Sequence, residues 1–281
     1  MDNPPRDGIV RRTTLTDAER TAAQALIVAC NQHDGLELPL ALERGRDPDL
    51  PWLLLYRDGD LAGLALLSDY GGVEAWLIVH PDHRRHGLGR WLLRVVQEAT
   101  GGRLLLTCDE ASAPGQAFAS AVGAGYRFSE HKMAYRPDAP RTPAAARVQV
   151  RRAGPGDGDT LIQLTAASFG DDETVVRSLI ETWLSSEAQR FYLAELDGTP
   201  VGAIRAQFGG EAVYLATFGV LPEHRRRGFG RATLSFVVDD LLAEGSSGIF
   251  LEVETDNRDA LGLYESCGFR TVRTYHYYAT S

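Results

Sequence analysis

The segment LATFGVLPEHRRRGFGRATLSFVV, Leu215 to Val238, predicts a strand, a basic glycine-containing loop and a helix in direct succession. The apolar run ends at Pro222, and the loop carries Gly228 and Gly230 just before helical periodicity begins. Glycines allow a tight turn and a close approach of ligand, so that N–H groups at the helix start point at one anion. The glycines are spaced differently from those of the dinucleotide-binding fingerprint. The loop is not a P-loop either, because no Lys-Ser/Thr pair follows. The loop therefore predicts a site for the phosphates of a nucleotide cofactor.

A second copy of this segment occurs earlier in the chain. WLIVHPDHRRHGLGRWLLRVV, Trp76 to Val96, repeats its proline, histidine, first arginine and both glycines at a constant offset of 141 residues. Between the copies lies the Pro- and Ala-rich stretch PDAPRTPAAAR, which has no periodicity. We therefore predict a tandem duplication with an N-terminal domain at 1–136, a linker at 137–147 and a C-terminal domain at 148–281.

Composition excludes several classes of protein. The chain has 281 residues, 44% hydrophobic and 24% charged, with a formal net charge of -9, which is typical of a globular protein and argues against nucleic acid as a partner. It has no N-terminal apolar signal region and no 18-residue apolar run, so we expect no secretion and no membrane span. Three scattered cysteines favour a reducing cytoplasm, and we expect no metal because His80, His83 and His86 cross a proline-containing loop.

Periodicity gives the same order of elements in both halves. In the second half we predict a strand at 148–153, helices at 157–169 and 172–186, a hairpin over 191–208, a strand at 212–220, a helix at 228–243, a strand at 249–254, a helix at 257–267 and a terminal pair of strands. The predicted fold class is α/β (α+β): two tandem domains, each with a mixed, mostly antiparallel sheet flanked by helices.

The loop segment and FLEVETDNRDALGLYESCGF, Phe250 to Phe269, together resemble the acyl-CoA-binding signatures of the GCN5-related N-acetyltransferase (GNAT) family. The family pattern [Gln/Arg]-x-x-Gly-x-[Gly/Ala] falls on Arg225, Gly228 and Gly230. The resemblance implies a sheet splayed between its fourth and fifth strands, acetyl-CoA bound in the splay as co-substrate, and direct attack of an amine on the thioester in a ternary complex.

The resemblance also implies which residues bind the co-substrate. The expected set is Phe218, Gly219, Val220, Arg225, Arg226, Arg227, Gly228, Phe229, Gly230, Arg231 and Asn257. A possible second site in the first half comprises Val79, Arg84, Arg85, His86, Gly87, Leu88, Gly89 and Arg90.

Tyr264 lies where many family members carry the tyrosine that protonates the leaving CoA sulfur. Asn257 and Tyr264 share one helix face, and Asn257 could serve as a helix N-cap as well as a CoA contact. Aligning Gly125-Tyr126 with Gly268-Phe269 places Pro114, Phe118 and Ala121 at the equivalent positions of the first half. We therefore expect the first domain to be catalytically degenerate and the second to be active.

The general base is the least determined residue. Many family members carry a glutamate on the fourth strand, where this chain has Tyr214. Glu252 lies twelve residues before Tyr264, a pattern similar to that of the ribosomal-protein alanine N-acetyltransferases, and it is the predicted base. Glu254, Glu211 and water remain alternatives.

The sequence thus predicts a cytoplasmic acetyl-CoA-dependent N-acetyltransferase, monomeric or homodimeric, with a small-molecule or peptide amine as acceptor. Two alternatives stay open. The tandem layout is similar to that of mycothiol synthase, which would make the acceptor the amine of a thiol conjugate, although Tyr214 departs from that pattern. A non-catalytic acyl-CoA sensor is the other alternative.

Overall fold

The computed structural model describes residues 6–36, 50–69, 72–144, 147–209 and 212–280. The first repeat comprises β1 Gly8–Arg12, α1 Asp17–Asp34, β2 Trp52–Arg57, β3 Asp60–Asp69, β4 Val73–Val79, α2 Leu88–Thr100, β5 Leu105–Asp109, α3 Ala113–Ala121 and β6 Gly125–Tyr135. The second comprises β7 Gln149–Arg152, α4 Gly158–Phe169, α5 Glu173–Leu184, β8 Gln189–Leu196, β9 Thr199–Gly209, β10 Ala212–Val220, α6 Phe229–Ala243, β11 Gly248–Glu254, α7 Arg258–Ser266 and β12 Phe269–Ala279. The predicted fold class is confirmed.

Contacts divide the chain into two compact units that differ from the two repeats at their last strands. Unit 1 contains Met1–Ser129 and Arg273–Ser281, and unit 2 contains Glu130–Val272. The reason is strand pairing: the second half of β6 pairs antiparallel with β11, whereas the second half of β12 pairs antiparallel with β5. The end of each repeat's last strand therefore lies in the other repeat's sheet. The predicted terminal pair of strands is wrong in one respect, because Phe269–Ala279 forms the single strand β12.

The sheet of unit 1 has the strand order β1-β2-β3-β4-β5-β12. Strands β2 and β3 form the predicted hairpin. Asp58 and Gly59 at its turn have φ of 54° and 94°, and a two-residue type I′ turn requires positive φ at both positions. Strand β4 pairs with β3 along seven residues without interruption. It pairs parallel with β5 only through Glu74 and Ala75, so the two strands separate beyond that point.

The sheet of unit 2 has the order β6-β11-β10-β9-β8-β7. Strand β10 pairs parallel with β11 only from Ala212 to Leu215, which confirms the predicted splay between the fourth and fifth strands of this repeat. A bulge interrupts the β9–β10 ladder between Ala216 and Gly219, and Thr217 takes φ 49° there. A bulge bends its strand, so it turns the backbone of β10 at the opening of the splay.

Helices cover both faces of this sheet. Leu234, Val238 and Leu241 of α6 pack with Tyr192 of β8. Helices α4 and α5 pack with Phe191 and Leu193, which point to the other face because side chains alternate along a strand.

Neither α6 nor any other described helix is both long enough and apolar enough to cross a membrane.

Candidate active site

The predicted phosphate loop of unit 2 is built as a helix start. Helix α6 begins at Phe229 after Gly228, whose φ of 84° is left-handed, and no side chain of the described residues caps the helix. The first intrahelical bond runs from Ala232 N to Gly228 O, so the N–H groups of Phe229, Gly230 and Arg231 precede the intrahelical ladder. These N–H groups and the positive end of the helix are suited to bind an anion.

Two arginines of this loop, Arg225 and Arg226, have different contacts. Arg225 donates to the backbone oxygens of Val220, at 2.9 Å, and Ser168, at 2.6 Å, so its guanidinium joins the end of β10 to the end of α4. Arg226 is exposed, with its side chain 3.5 Å from Asp259. We therefore expect Arg225 to hold the loop in place and Arg226 to supply charge at its surface.

The loop of unit 1 has the same backbone. Arg85 and Gly87 have φ of 68° and 81°, as Arg226 and Gly228 have 58° and 84°. Arg84 donates to Val79 O at 3.0 Å, the counterpart of the Arg225 bond, and binds both carboxylate oxygens of Asp34 at 2.8 and 2.7 Å. Both repeats therefore form the loop that the sequence predicts to bind phosphate.

A cavity of about 540 Å³ lies at the splay of unit 2. Three groups of residues line it: Thr165, Phe169, Asp171, Val176, Leu179 and Trp183 from α4, α5 and the turn between them; Ile204, Leu215, Ala216, Thr217 and Phe218 from β9 and β10; and Glu130, Leu251, Glu252, Val253, Glu254, Asn257, Ala260 and Tyr264 from β6, β11, α7 and the turn before α7. The cavity therefore brings together the predicted catalytic residues and the bulged strand.

Tyr264 lies against the bulged strand, with its ring centroid 6.4 Å from that of Phe218. Burial, followed by the nearby Cys267 thiol, raises the pKa of its phenol to about 12. The phenol therefore stays protonated at neutral pH and can act as a proton donor. Asn257 accepts a hydrogen bond from Ala260 N at 3.1 Å, so it is the N-cap of α7 as well as part of the cavity wall.

The acidic residues of the cavity come from three segments. Glu252 and Glu254 project from the same face of β11, Glu130 lies on β6, and Asp171 follows α4. Glu252 pairs across the sheet with Lys132. The alternative base Glu211 lies outside the described residues.

Tyr214, at the position of the common family glutamate, stacks on Phe250 with ring centroids 5.2 Å apart. The Lys132 ammonium lies 5.0 Å from the Phe250 centroid and 5.6 Å from that of Tyr214.

Helix α4 approaches the strand closely at Gly219. A Cβ atom on Gly219 would lie 2.5 Å from Ser168 Cβ and 2.8 Å from its Oγ. Ser168 is 8% exposed, and its hydroxyl has no hydrogen-bond partner among the described residues.

Arg205 supports the cavity wall from the side away from the cavity. It is 4% exposed, its guanidinium lies 3.8 Å from the centroid of the Trp183 ring, and it donates a hydrogen bond to Thr217 Oγ1.

The predicted alignment of the two repeats is wrong by two residues at the last helix. Ser112 caps α3 by accepting from Gly115 N, as Asn257 caps α7, and left-handed Gly123 follows α3 as Gly268 follows α7. These pairs are 145 residues apart, so Asn257 corresponds to Ser112 rather than Pro114. By the same offset, Tyr264 corresponds to buried Ala119 rather than Ala121. The phenol is absent from the first repeat under either alignment.

Pairing also aligns the fourth strands. Glu74 pairs with Ser68 of β3, and Tyr214 pairs with Gln207 at the same place in β9. Glu74 is therefore the structural counterpart of Tyr214, and the bulge adds one residue to β10 after this point.

Aromatic rings occupy the corresponding region of unit 1. Counting along the paired strands, Trp76 corresponds to Ala216 and Tyr275 corresponds to Glu130. The Trp76 and Tyr275 rings meet edge to face with centroids 5.1 Å apart. Two bulky rings thus replace a methyl group and a carboxylate that line the cavity of unit 2.

Comparison with known proteins gives a consistent result. The family model described as "Acetyltransferase (GNAT) family" matches residues 16–124 and 159–269. The chain belongs to the GNAT family of acetyltransferases. It is 32% identical to a mycothiol acetyltransferase of Thermobispora bispora, covering 90% of this chain and 93% of that protein, and 31% identical to one of Streptomyces griseus, covering 92% and 90%.

Solved structures with the same fold include a GCN5-related N-acetyltransferase from Sphaerobacter thermophilus, with TM-score 0.78, 22% identity, and coverage of 99% of this chain and 96% of that one. A tandem GNAT protein from the clavulanic acid biosynthesis pathway has TM-score 0.70 at 19% identity, with coverage of 97% and 98%. The tandem GNAT architecture predicted from the repeated loop is thereby confirmed, and the protein is an acyltransferase.

Cysteine and metal chemistry find no support in the described residues. Burial raises the pKa of the Cys267 thiol, and that of Cys108 to about 11, so neither is an activated nucleophile. No group of three or more His, Cys, Asp or Glu side chains in the described ranges is placed to hold a metal ion.

Sequence reasoning missed Glu130, Thr165 and Trp183 as cavity residues. Asp171 also lines the cavity, and Asp172 beside it is the N-cap of α5, accepting from Thr174 N at 2.8 Å. Local pattern gave no signal for Glu130, because its strand lies in the sheet of unit 2.

Proposed function

We propose that unit 2 transfers an acetyl group from acetyl-CoA to a primary amine bound in the 540 Å³ cavity. The observation that carries this proposal is the position of the cavity. It lies where β10 separates from β11, and a protonated phenol lines it together with several carboxylates.

The residues present fit acetyl-CoA. The pyrophosphate suits the N–H groups of Phe229, Gly230 and Arg231, with Arg226 and Arg227 adding positive charge. The pantetheine arm suits the splay, because Phe218, Gly219 and Val220 lie beyond the last β10–β11 pair and their backbone groups are not used in that ladder. Asn257 lies at the cavity wall near the end of this path.

Bound acetyl-CoA would supply an activated acyl group in its thioester. In our proposal a backbone N–H of Phe218 or Val220 polarises the thioester carbonyl. Glu252 takes one proton from the incoming ammonium, directly or through water, so that a neutral amine attacks. As the C–N bond forms and the C–S bond breaks, Tyr264 gives its proton to the departing sulfur. The attacking nitrogen passes its second proton to the Tyr264 phenolate through solvent, and Glu252 releases the first proton to solvent, so each transfer yields the amide, the CoA thiol and one proton.

An acceptor screen tests this function. We would follow release of CoA thiol from acetyl-CoA in the presence of n-butylamine, putrescine, alanine-terminated peptides and a cysteine-bearing pseudodisaccharide. Acceptor-dependent thiol release supports the proposal. Tight acetyl-CoA binding without transfer to any amine would instead favour a sensor.

A second candidate is the acetylation of a thiol-conjugate amine, as in the mycothiol acetyltransferases. Its support is the sequence identity of 32% and 31% with two mycothiol acetyltransferases along both repeats. A preference for the pseudodisaccharide over simple amines would identify it.

For unit 1 we propose binding of CoA without transfer. Its loop, from Val79 and Arg84 to Arg90, has the backbone of the unit 2 loop, whereas Ala119 cannot replace the phenol. A calorimetric titration that gives two acetyl-CoA sites per chain would support this proposal, and one site would contradict it. Cytoplasmic location and a monomeric or dimeric state stay predictions from the sequence.

A further inference from the structure

The most deeply buried side chains that line the cavity of unit 2 are apolar, with one exception. The apolar ones, each at most 6% exposed, are Val176, Ile204, Leu215, Leu251 and Val253. The exception is Thr165 of α4, which lines the cavity beside them and is 8% exposed. A hydroxyl group at this depth is costly unless it has a hydrogen-bond partner.

The Thr165 hydroxyl has no hydrogen-bond partner among the described residues. A threonine inside a helix can donate to the carbonyl oxygen four residues earlier. Thr182 of α5 donates to Ser178 O and Thr233 of α6 donates to Phe229 O, both at 2.8 Å, and Thr165 makes no such bond. Thr165 Oγ1 is not among the unpaired side-chain atoms that the described protein fully encloses, so it keeps accessible surface. The hydroxyl is therefore available to a molecule in the cavity that Thr165 lines.

The first helix of unit 1 shows that the fold does not require a polar residue at this position. Asp157 and Glu19, near the starts of the two first helices, each accept a hydrogen bond from the backbone N–H three residues earlier, and they are 138 residues apart. The same offset pairs Thr165 with Ile27, which is fully buried in an apolar cluster. The polar group is therefore specific to the unit that has the cavity and the phenol.

We propose that Thr165 is a specificity-determining residue whose hydroxyl donates a hydrogen bond to an oxygen atom of the acceptor, in a hydroxyl or carbonyl group that the acceptor carries besides its amine. This inference rests on the proposed function, and it adds a second recognised group to the acceptor. The buried apolar side chains around Thr165 suit a short alkyl group beside that oxygen. An acceptor without the oxygen would leave the Thr165 hydroxyl desolvated and unpaired, which is how such a site discriminates.

The position of Thr165 separates selection from proton transfer. Glu252 and Tyr264, to which we assign the proton transfers, lie on β11 and α7, whereas Thr165 lies on α4. In this proposal one wall of the cavity acts on the amine and the other wall recognises the rest of the acceptor.

The binding test compares ligands that differ at one group. The full-length protein, saturated with CoA, is titrated calorimetrically at pH 7 with valinol, with valinamide, and with the amine in which a methyl group replaces the hydroxyl of valinol. We expect wild type to bind valinol or valinamide about tenfold more tightly than the methyl analogue, because the oxygen pairs with a buried hydroxyl. A preference for valinol would identify the recognised group as a hydroxyl, and a preference for valinamide would identify it as a carbonyl.

Variants assign this preference to one side chain. Thr165→Val removes the hydroxyl and keeps a similar shape, so the three affinities should then agree within about twofold. Thr165→Ser keeps the hydroxyl and should retain the preference. Thr182→Val is the matched control, because Thr182 is exposed, is not among the residues that line the cavity and bonds within its own helix. It should bind all three ligands as wild type does.

A kinetic arm separates this inference from the proposed function. In Thr165→Val, the ratio of kcat/KM for the preferred amine to kcat/KM for the methyl analogue should fall about tenfold, while KM for acetyl-CoA stays within about twofold. Equal affinities for the three ligands in wild type, an unchanged preference in Thr165→Val, or an equal loss of kcat/KM for both amines would overturn the inference.

The two proposals can fail independently. Acetylation of all three amines without preference would overturn the inference and keep the proposed function. A binding preference that depends on Thr165, in a protein that acetylates no amine, would leave the inference standing and remove the proposed function.

Discussion

The two repeats share one phosphate loop and differ in what lies beyond it. In both, an arginine and a glycine with left-handed backbone conformation precede a helix whose start has no side-chain cap among the described residues. Beyond the loop, unit 2 has a bulged strand, a buried phenol and a cavity, whereas unit 1 has a regular strand, Ala119 and a pair of packed rings. The comparison teaches that both repeats keep the loop predicted to bind phosphate, whereas the features that we propose for acetyl transfer lie outside the repeated motif.

Removal of the phenol should have the largest effect. Tyr264→Phe should lower kcat by about 100-fold and change the Kd of acetyl-CoA less than twofold, because it removes a proton donor used only during transfer. Steady-state kinetics and calorimetry would measure the two quantities. Tyr126→Phe in unit 1, at an exposed phenol bonded to Ser129, is the matched control and should leave both unchanged. Parallel losses of kcat and acetyl-CoA affinity in Tyr264→Phe would contradict the acid role.

The close approach of α4 to β10 gives the next prediction. Gly219→Ala should lower the free energy of unfolding by about 2 kcal/mol, because the new methyl would lie 2.5 Å from Ser168 Cβ. Adding Ser168→Gly should restore part of that loss. Gly209→Ala is the control, since among the described residues its Cβ would meet only Ala212 O at 3.9 Å. Denaturant unfolding measures each variant, and a Gly219→Ala protein as stable as wild type would show that the contact is not tight.

An ion pair at the start of each repeat predicts that the free energy of unfolding falls in acid. Asp157 accepts two bonds from Arg151, at 2.7 and 2.8 Å, and one from Gly154 N, which lower its pKa to about 2 from 3.8. The corresponding acid of unit 1, Glu19, accepts one hydrogen bond from Arg12 Nε at 2.8 Å and one from Thr16 N at 2.9 Å.

A carboxyl with a depressed folded pKa stabilises the protein above its unfolded pKa, and this stability is lost as pH falls through the folded pKa. Between pH 4 and pH 2, wild type should therefore lose about 1 kcal/mol that Asp157→Asn does not lose, after allowance for the solvent around Arg151. Unfolding at a series of pH values measures this difference. Identical slopes for both proteins would show that the pair contributes nothing.

The buried serine should give the smallest effect. Ser168→Ala removes a hydroxyl that has no hydrogen-bond partner among the described residues, so the free energy of unfolding should stay the same or rise by up to about 1 kcal/mol. Exposed Ser178→Ala is the control. A loss of more than about 1 kcal/mol in Ser168→Ala would mean that the hydroxyl is bonded in the folded protein.

Much of the fold could be predicted from local pattern. The boundaries of β10 agree with the predicted strand at 212–220, and α6 begins one residue from the predicted helix start. Asp-Gly turns and alternating apolar residues identified both hairpins, because these signals depend only on neighbouring residues. The splay and the family could be predicted because the loop motif and the tyrosine helix both lie in continuous segments.

Three features could not be predicted from the sequence, each for a physical reason. The bulge depends on Thr217 at positive φ, a conformation that its side chain does not favour and that the surrounding contacts impose. The exchange of last strands is a choice between two similar sheets, and a strand's own sequence does not specify its partner. The alignment error arose because Gly123 and Gly125 both fit the pattern, and only the helix caps and the φ of 73° at Gly123 distinguish them.

The most direct measurement compares the two loops at the same position. Gly87 and Gly228 have φ of 81° and 84°. A Cβ on either would meet no atom of the described residues within 4 Å, so an alanine imposes the same backbone strain on each loop. We expect Gly228→Ala to reduce acetyl transfer at least tenfold and Gly87→Ala to leave kcat within twofold of wild type. Equal losses of transfer in the two variants, or a larger loss in Gly87→Ala, would contradict the assignment of catalysis to the second unit.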